Sequence, residues 1–265
     1  MKRFRFYARL YILMISQYIK ARMQFRSDFY ISTFAMILLN ITGIFSYWIL
    51  FHSISSIDGW NFNQLVFLYS FALLATTPQQ IFFDNLWVIR ISLRNGNFIK
   101  YYFKPINTLF YYISEVFDIK GLGQLGLALV MLIYSSVKLG INWNLLNIIM
   151  LIVFILSSAL IMISLMLLAA SISFWVIESV SVIMLIHKLS EYSRYPITIF
   201  NGVFRFIFTG IIPIAFIAYY PSRYFLSQGT FDVKVFATPF VGIILFMIAY
   251  RVWTIGVNRY SGTGS

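Results

Sequence analysis

Three long stretches of this sequence, residues 29–57, 59–83 and 139–177, contain no Asp, Glu, Lys or Arg. Apolar residues run through them continuously instead of alternating. A helix needs about 20 apolar residues to cross the hydrocarbon core of a bilayer, so each stretch is long enough for one crossing and the third approaches two. Inside lipid the backbone must satisfy its own hydrogen bonds, which leaves helices or closed barrels. The alternation of a membrane β-strand is absent. The pattern predicts an all-α integral membrane protein with six transmembrane helices, an N-terminal interfacial helix and a re-entrant hairpin before the last span.

The spans fall at about 29–51, 60–83, 119–137, 145–170 and 235–257, with one more between the fourth and the last. Residues 1–28 are apolar and basic together. Arg5, Arg9, Ser16 and Lys20, spaced 4, 7 and 4 apart, share one helical face, with Tyr7, Leu10, Tyr11, Met14 and Tyr18 largely on others. That predicts an amphipathic helix with its basic stripe toward lipid phosphates. Residues 84–104 carry Arg90, Arg94, Lys100 and Lys104 against one acid, Asp84. This is the cytoplasmic loop expected to have structure of its own.

Residues 172–226 admit two layouts. In one, 195–220 is a full crossing, which brings Lys188 and Arg194 inside but leaves Arg205 in mid-membrane at a cost of several kcal/mol. In the other, 172–189 is the fifth span and 195–226 is a hairpin dipping into the outer leaflet, broken by Pro196, Pro213 and Pro221. Covered by protein, such a break is tolerable. The second layout is preferred, and both place the two termini in the cytoplasm.

Composition agrees with the membrane reading. Of 265 residues 60% are hydrophobic and 11% charged, against about 25% charged in a soluble domain. The net charge of +12 does not point to nucleic acid, because the basic residues cluster beside the apolar runs, where they meet anionic lipid. No long apolar run precedes residue 29, so no cleavable leader is expected. Cysteine is absent, which excludes disulfides and thiolate metal sites. Residues 258–265 form a tail whose final SGTGS reads as appended sequence.

GLGQLG at 121–126 fits a dinucleotide-binding spacing, yet it opens a membrane span with no strand before it. Helix packing is the expected role. The sequence contains no P-loop motif. His52 and His187 lack companion ligands, so no metal site is expected. Glu115, Asp118 and Glu178 lie near predicted membrane edges. Glu115, Asp118 and Lys120 are expected to form a polar cluster at the inner edge, meeting Arg90 or Arg94. No catalytic constellation stands out, so the chain itself is not expected to be an enzyme.

Three segments carry a resemblance. GNFIKYYFKPIN (96–107) is similar to a Gly-x-x-x-x-x-Leu-x-x-Pro-x-Asn stretch, with Tyr102 in place of leucine. EVFDIKGLGQLG (115–126) matches an acidic, then glycine-rich, opening of span three. FW, followed by residues 194–226, holds Tyr195, Pro196, Arg205, Pro213 and Pro221 in the expected order. Over essentially its whole length the chain resembles permease subunits of bacterial ABC exporters of the second type, in their six-span branch. The resemblance implies a multi-pass protein of the bacterial cytoplasmic membrane, paired with a second permease as a homodimer or with a paralogue. Each half would dock on a separate ABC ATP-binding subunit that holds ATP and Mg. It also implies ATPase coupling through Arg90, Arg94, Gly96, Lys100, Tyr102, Lys104 and Pro105, transmission through the interfacial helix, and outer closure by the hairpin. Peptides, lipid-linked glycans and drugs are all compatible cargoes. An ATP-independent carrier or channel is the alternative, though no repeated span interruption or buried charge pair supports it.

Overall fold

The computed structural model describes residues 2–176, 179–227 and 233–260. Glu178 and the terminal SGTGS lie outside the described residues. Helix α1 (Lys2–Arg22) passes through a 3-10 turn at Met23–Phe25 into α2 (Arg26–Ser53). The helical run from Phe4 to Ser53 is 50 residues long, roughly 75 Å at 1.5 Å per residue. That is more than twice the hydrocarbon thickness, so only part of it can cross. α2, with 28 residues, suffices for the crossing.

Helix α3 (Phe62–Phe83) starts at a capping box: the Asn61 side chain accepts from the Gln64 amide and the Gln64 side chain from the Asn61 amide, both at 2.9 Å. Leu65 through Ala75 are all buried. A helix apolar and buried all round belongs at the centre of a bundle, and α3 packs there against α2, α7 (Lys120–Lys138) and α8 (Leu145–Ser171). Between α3 and α7 the chain forms a 3-10 turn at Asp84–Val88 and three short helices: α4 (Ile89–Arg94), α5 (Ile99–Tyr102) and α6 (Thr108–Ser114). Beyond α8 come α9 (Val180–Glu191), α10 (Gly202–Phe206), α11 (Tyr219–Leu226) and α12 (Val233–Arg259).

Small residues permit the closest helix contacts. A Cβ on Gly242 of α12 would lie 2.8 Å from the Ser157 carbonyl oxygen of α8. In GLGQLG, a Cβ on Gly121 would meet Ile81 of α3 at 2.5 Å and one on Gly123 would meet Thr33 of α2 at 2.6 Å. Gly126 faces open space. The motif therefore packs helices, as its position implied.

Among the described residues, five helices are long and apolar enough to cross a membrane, and a sixth arises if Gly202–Ile211 and Ile214–Leu226, bent by 72° at Pro213, count as one. The stretch expected as span five is shorter than its hydropathy suggested. α8 ends at Ser171, a 3-10 turn follows at Ile172–Phe174, and α9 is only 12 residues long, about 18 Å. Alone it falls short of a crossing. Proline lacks an amide hydrogen and restricts its predecessor to extended backbone. Accordingly Tyr195, before Pro196, is extended (φ −111°, ψ 148°), and the helical run stops there.

Candidate coupling surface and polar cavity

The segment between α3 and α7 is fastened to one end of the bundle. Phe98 is fully buried. Its ring centroid lies 5.2 Å from Phe174 after α8, 6.1 Å from Trp253 and 5.3 Å from Tyr260 at the end of α12, and 5.9 Å from Tyr112 of α6. The Asn85 amide donates to the Tyr112 carbonyl and the Tyr112 hydroxyl to the Asn85 carbonyl, both at 2.7 Å. Asn107 caps α6 and donates to the Tyr250 hydroxyl of α12 at 2.7 Å. The segment is therefore tied to the end of α8 and to α12.

The sequence-predicted residues of this segment separate into two groups. Lys100 pairs with Glu115 at 2.8 Å, and the Tyr101 hydroxyl donates to the same carboxylate. Burial, and then that bond, push the Tyr101 hydroxyl upward from its ordinary range, so it stays a donor. Lys104 donates to the Tyr111 hydroxyl at 3.0 Å. Arg94, Tyr102 and Pro105 are exposed and Arg90 is half-buried. Gly96 joins α4 to α5 at φ +70°, a conformation that a glycine adopts without steric cost. The acid expected to meet Arg90 or Arg94 meets Lys100 and Tyr101 instead. Beside Tyr102, which is 51% exposed, lie two apolar residues that sequence reasoning missed: Ile91 and Phe103 are 50% and 77% exposed. Beside it, Tyr7 and Tyr11 of α1 pack on Phe110 of α6 at 4.8 and 6.0 Å, while Arg5, Arg9 and Lys20 are exposed.

Asp118 and Lys120 do not join Glu115. They face a cavity of about 640 Å³ between α2, α3, α7 and α9, which also reaches Met162 of α8. Asn40, Gln79 and Gln124 line it and are each more than nine-tenths buried. Gln80 donates to Asp118 at 3.4 Å and Gln124 to Thr77 at 3.1 Å. Arg194 closes the far end: its guanidinium lies 5.2 Å from the Tyr69 ring centroid, and the Tyr69 hydroxyl donates to the Asn40 carbonyl at 3.1 Å. Amides do not interrupt a charge-free run, so the sequence signal for this cavity was weak. Its trace was the clustering of Gln79 and Gln80 with Thr76 and Thr77 late in α3.

Beyond Arg194, Tyr195 packs edge-on against Tyr47 at 5.6 Å and Pro196 is buried. Arg205 is exposed and donates to the carbonyls of Phe200, at 2.7 Å, and Thr198. Pro213 and Pro221 are buried in the run 213–222. Ser158, midway along α8, donates to the Phe216 carbonyl at 3.2 Å, whereas Phe225 stacks near Phe67 of α3 and Trp143 before α8. The chain from Pro213 to Leu226 thus climbs from the middle of the bundle to the end opposite the α4–α5 segment. His52 stacks on Trp48, and His187 packs at a tilt on Trp87 with ring centroids 5.1 Å apart. Among the described residues no group of three or more His, Cys, Asp or Glu is placed to hold a metal ion.

Five to six apolar helices of crossing length among the described residues, with a fastened segment outside them and a polar cavity within, define a multi-pass membrane protein. Residues 37–264 match the family described as ABC-2 family transporter protein, and the chain belongs to that family. No curated protein and no solved structure matches it. The chain is therefore an ABC transporter permease, a transport component that is not itself catalytic, of a family that associates with an ABC ATP-binding subunit.

Proposed function

We propose that the chain is the permease of an ATP-driven exporter in the bacterial cytoplasmic membrane, with both termini in the cytoplasm and the α4–α5 segment docked on a separate ATPase. The observation that carries this reading is the anchoring of Phe98. An exposed apolar and basic surface, bearing Ile91, Phe103 and Arg94, sits on a segment whose buried aromatic is wedged among the ends of α6, α8 and α12. A push on that surface is delivered to three helices at once. ATP and Mg are held by the partner, and two permeases, identical or paralogous, complete the assembly. Closing the ATPase dimer exchanges inward-facing and outward-facing packings of the spans. α1 lies against α6 and follows the same motion. The proline-broken segment 195–226 forms the outer closure. The cargo is amphipathic, matching a site that is polar inside an apolar bundle.

The test is expression of the chain with candidate ATPase subunits from the same genome, followed by reconstitution. Co-purification and cargo movement that requires ATP are expected. Purification without an ATPase, together with cargo flux that an ion gradient drives without ATP, would replace this reading with a secondary carrier.

A further inference from the structure

The polar cavity has a charge arrangement that selects among cargoes. On the α3–α7 side stand Asp84, Asp118 and Lys120, and on the α9 side Lys188, Glu191 and Arg194. The first group sums to one negative charge and the second to one positive charge, so the cavity is neutral overall and polarised from wall to wall. Ionisable groups placed among membrane helices are expensive and mark functional paths. Gln79 adds a second observation: its side chain is 4% exposed, it lines the cavity, and its Nε2 has no hydrogen-bond partner. A buried donor left unmade costs on the order of 1–3 kcal/mol, a cost that a bound acceptor oxygen relieves. Met36, Leu39, Met162 and Trp87 supply apolar lining. The volume of about 640 Å³ falls within the range of small-molecule sites.

We propose that this cavity binds the zwitterionic polar part of an amphipathic cargo, its ammonium toward Asp84 and Asp118 and its anionic group toward Arg194, since Lys188 is paired with Glu191 at 3.4 Å. Resting on the permease reading, this names the cargo class. A single charge gains at one wall and loses at the other, whereas a dipole gains at both. A turn of the Gln79 side chain brings its enclosed Nε2 to a cargo oxygen. Two sources share this chemistry: a short apolar peptide with free termini, and a zwitterionic lipid headgroup.

The chain has no cysteine, so Thr76→Cys, in the cavity wall, gives a single reporter. The full chain in phosphatidylglycerol nanodiscs, without any ATPase, is alkylated with N-ethylmaleimide in the presence of five probes. Trileucine and lysophosphatidylethanolamine carry both charges; dodecanoate, dodecylamine and dodecyl maltoside carry one charge or none. A zwitterionic probe at about ten times its dissociation constant should slow alkylation about tenfold by mass action, and the other three should not. Protection by the peptide alone or the lipid alone identifies the source. Gln79→Leu and, in the acidic wall, Asp118→Asn should each weaken the protection while leaving the unprotected alkylation rate unchanged. Equal protection by a singly charged or uncharged probe, no protection by either zwitterion, or full protection in both variants overturns the proposal. Because no ATPase is present, failure here leaves the co-purification test standing, and failure there leaves this one standing.

Discussion

The Tyr47 hydroxyl of α2 donates to the backbone carbonyl of Arg194 at 2.9 Å, while the Arg194 guanidinium covers the Tyr69 ring of α3. One residue thereby ties two spans to the point where α9 gives way to extended chain. That point separates the polar cavity from segment 195–226. Tyr47→Phe removes the donor and keeps the ring, so it should cost about 1 kcal/mol of stability, read as a lowered melting temperature. If the joint carries motion between cavity and closure, transport falls while ATPase binding stays normal.

Phe98 tests the transmission from the other end. Phe98→Ala opens a cavity among Tyr112, Phe174 and Trp253 and should cost about 3–5 kcal/mol. Phe98→Leu fills most of that space and should assemble with the ATPase. Its ATP hydrolysis should persist with reduced cargo movement, measured side by side in liposomes.

The docking surface is tested by charge. Arg94→Glu combined with Phe103→Glu places acids on exposed positions, where substitutions barely affect folding. Membrane levels should match the unmodified chain, and co-purification of the ATPase should be lost. Normal assembly and transport by this double variant would move the docking site elsewhere.

Glycine substitutions distinguish close helix contacts from open ones. Gly242→Ala drives a methyl against the Ser157 carbonyl oxygen at 2.8 Å and should destabilise by about 1–3 kcal/mol. Gly126→Ala meets nothing within 4 Å and should be neutral or slightly stabilising. Thermal unfolding in one detergent compares the two directly.

The spans were legible because a charge-free apolar run of membrane length is costly to keep in water and stable inside a bilayer, and the break read at Pro213 falls at a real bend. Partner choice was less legible. Glu115 finds Lys100, fifteen residues away, because α5 and α6 fold back together, and nothing in the linear spacing favours that over Arg90 or Arg94. The cavity was hidden for a related reason. Asn40, Gln79, Gln124 and Arg194 come from four separate stretches, and each alone is a tolerated polar residue. Only the packing of α2, α3, α7 and α9 makes them one surface. Of the expected fifth span, the described part is a 3-10 turn and the 12-residue α9, and hydropathy registers the apolar residues of 172–189 but not the turn after Ser171.

The side of the membrane on which residues 195–226 close is open to direct measurement. Ser193 is 2% exposed and would react slowly on either side, so it is a poor reporter. Gly202 is exposed and a Cβ there meets nothing within 4 Å, so Gly202→Cys should fold and react. Asn142, in the turn between α7 and α8, and Asn95, between α4 and α5, are exposed references for the two ends of the bundle. With an outer closure, Gly202→Cys and Asn142→Cys should both react with an impermeant maleimide on intact cells. Asn95→Cys should react only after permeabilisation. Phe216 lies level with Ser158 in mid-bundle and Phe225 beside Trp143, so the chain after Pro213 rises toward the Asn142 end. Were Gly202→Cys to follow Asn95→Cys while Asn142→Cys stayed accessible, residues 202–226 would cross the membrane as a bent sixth span. The chain would then have no outer hairpin, and closure of the outer mouth would fall to the ends of the spans themselves.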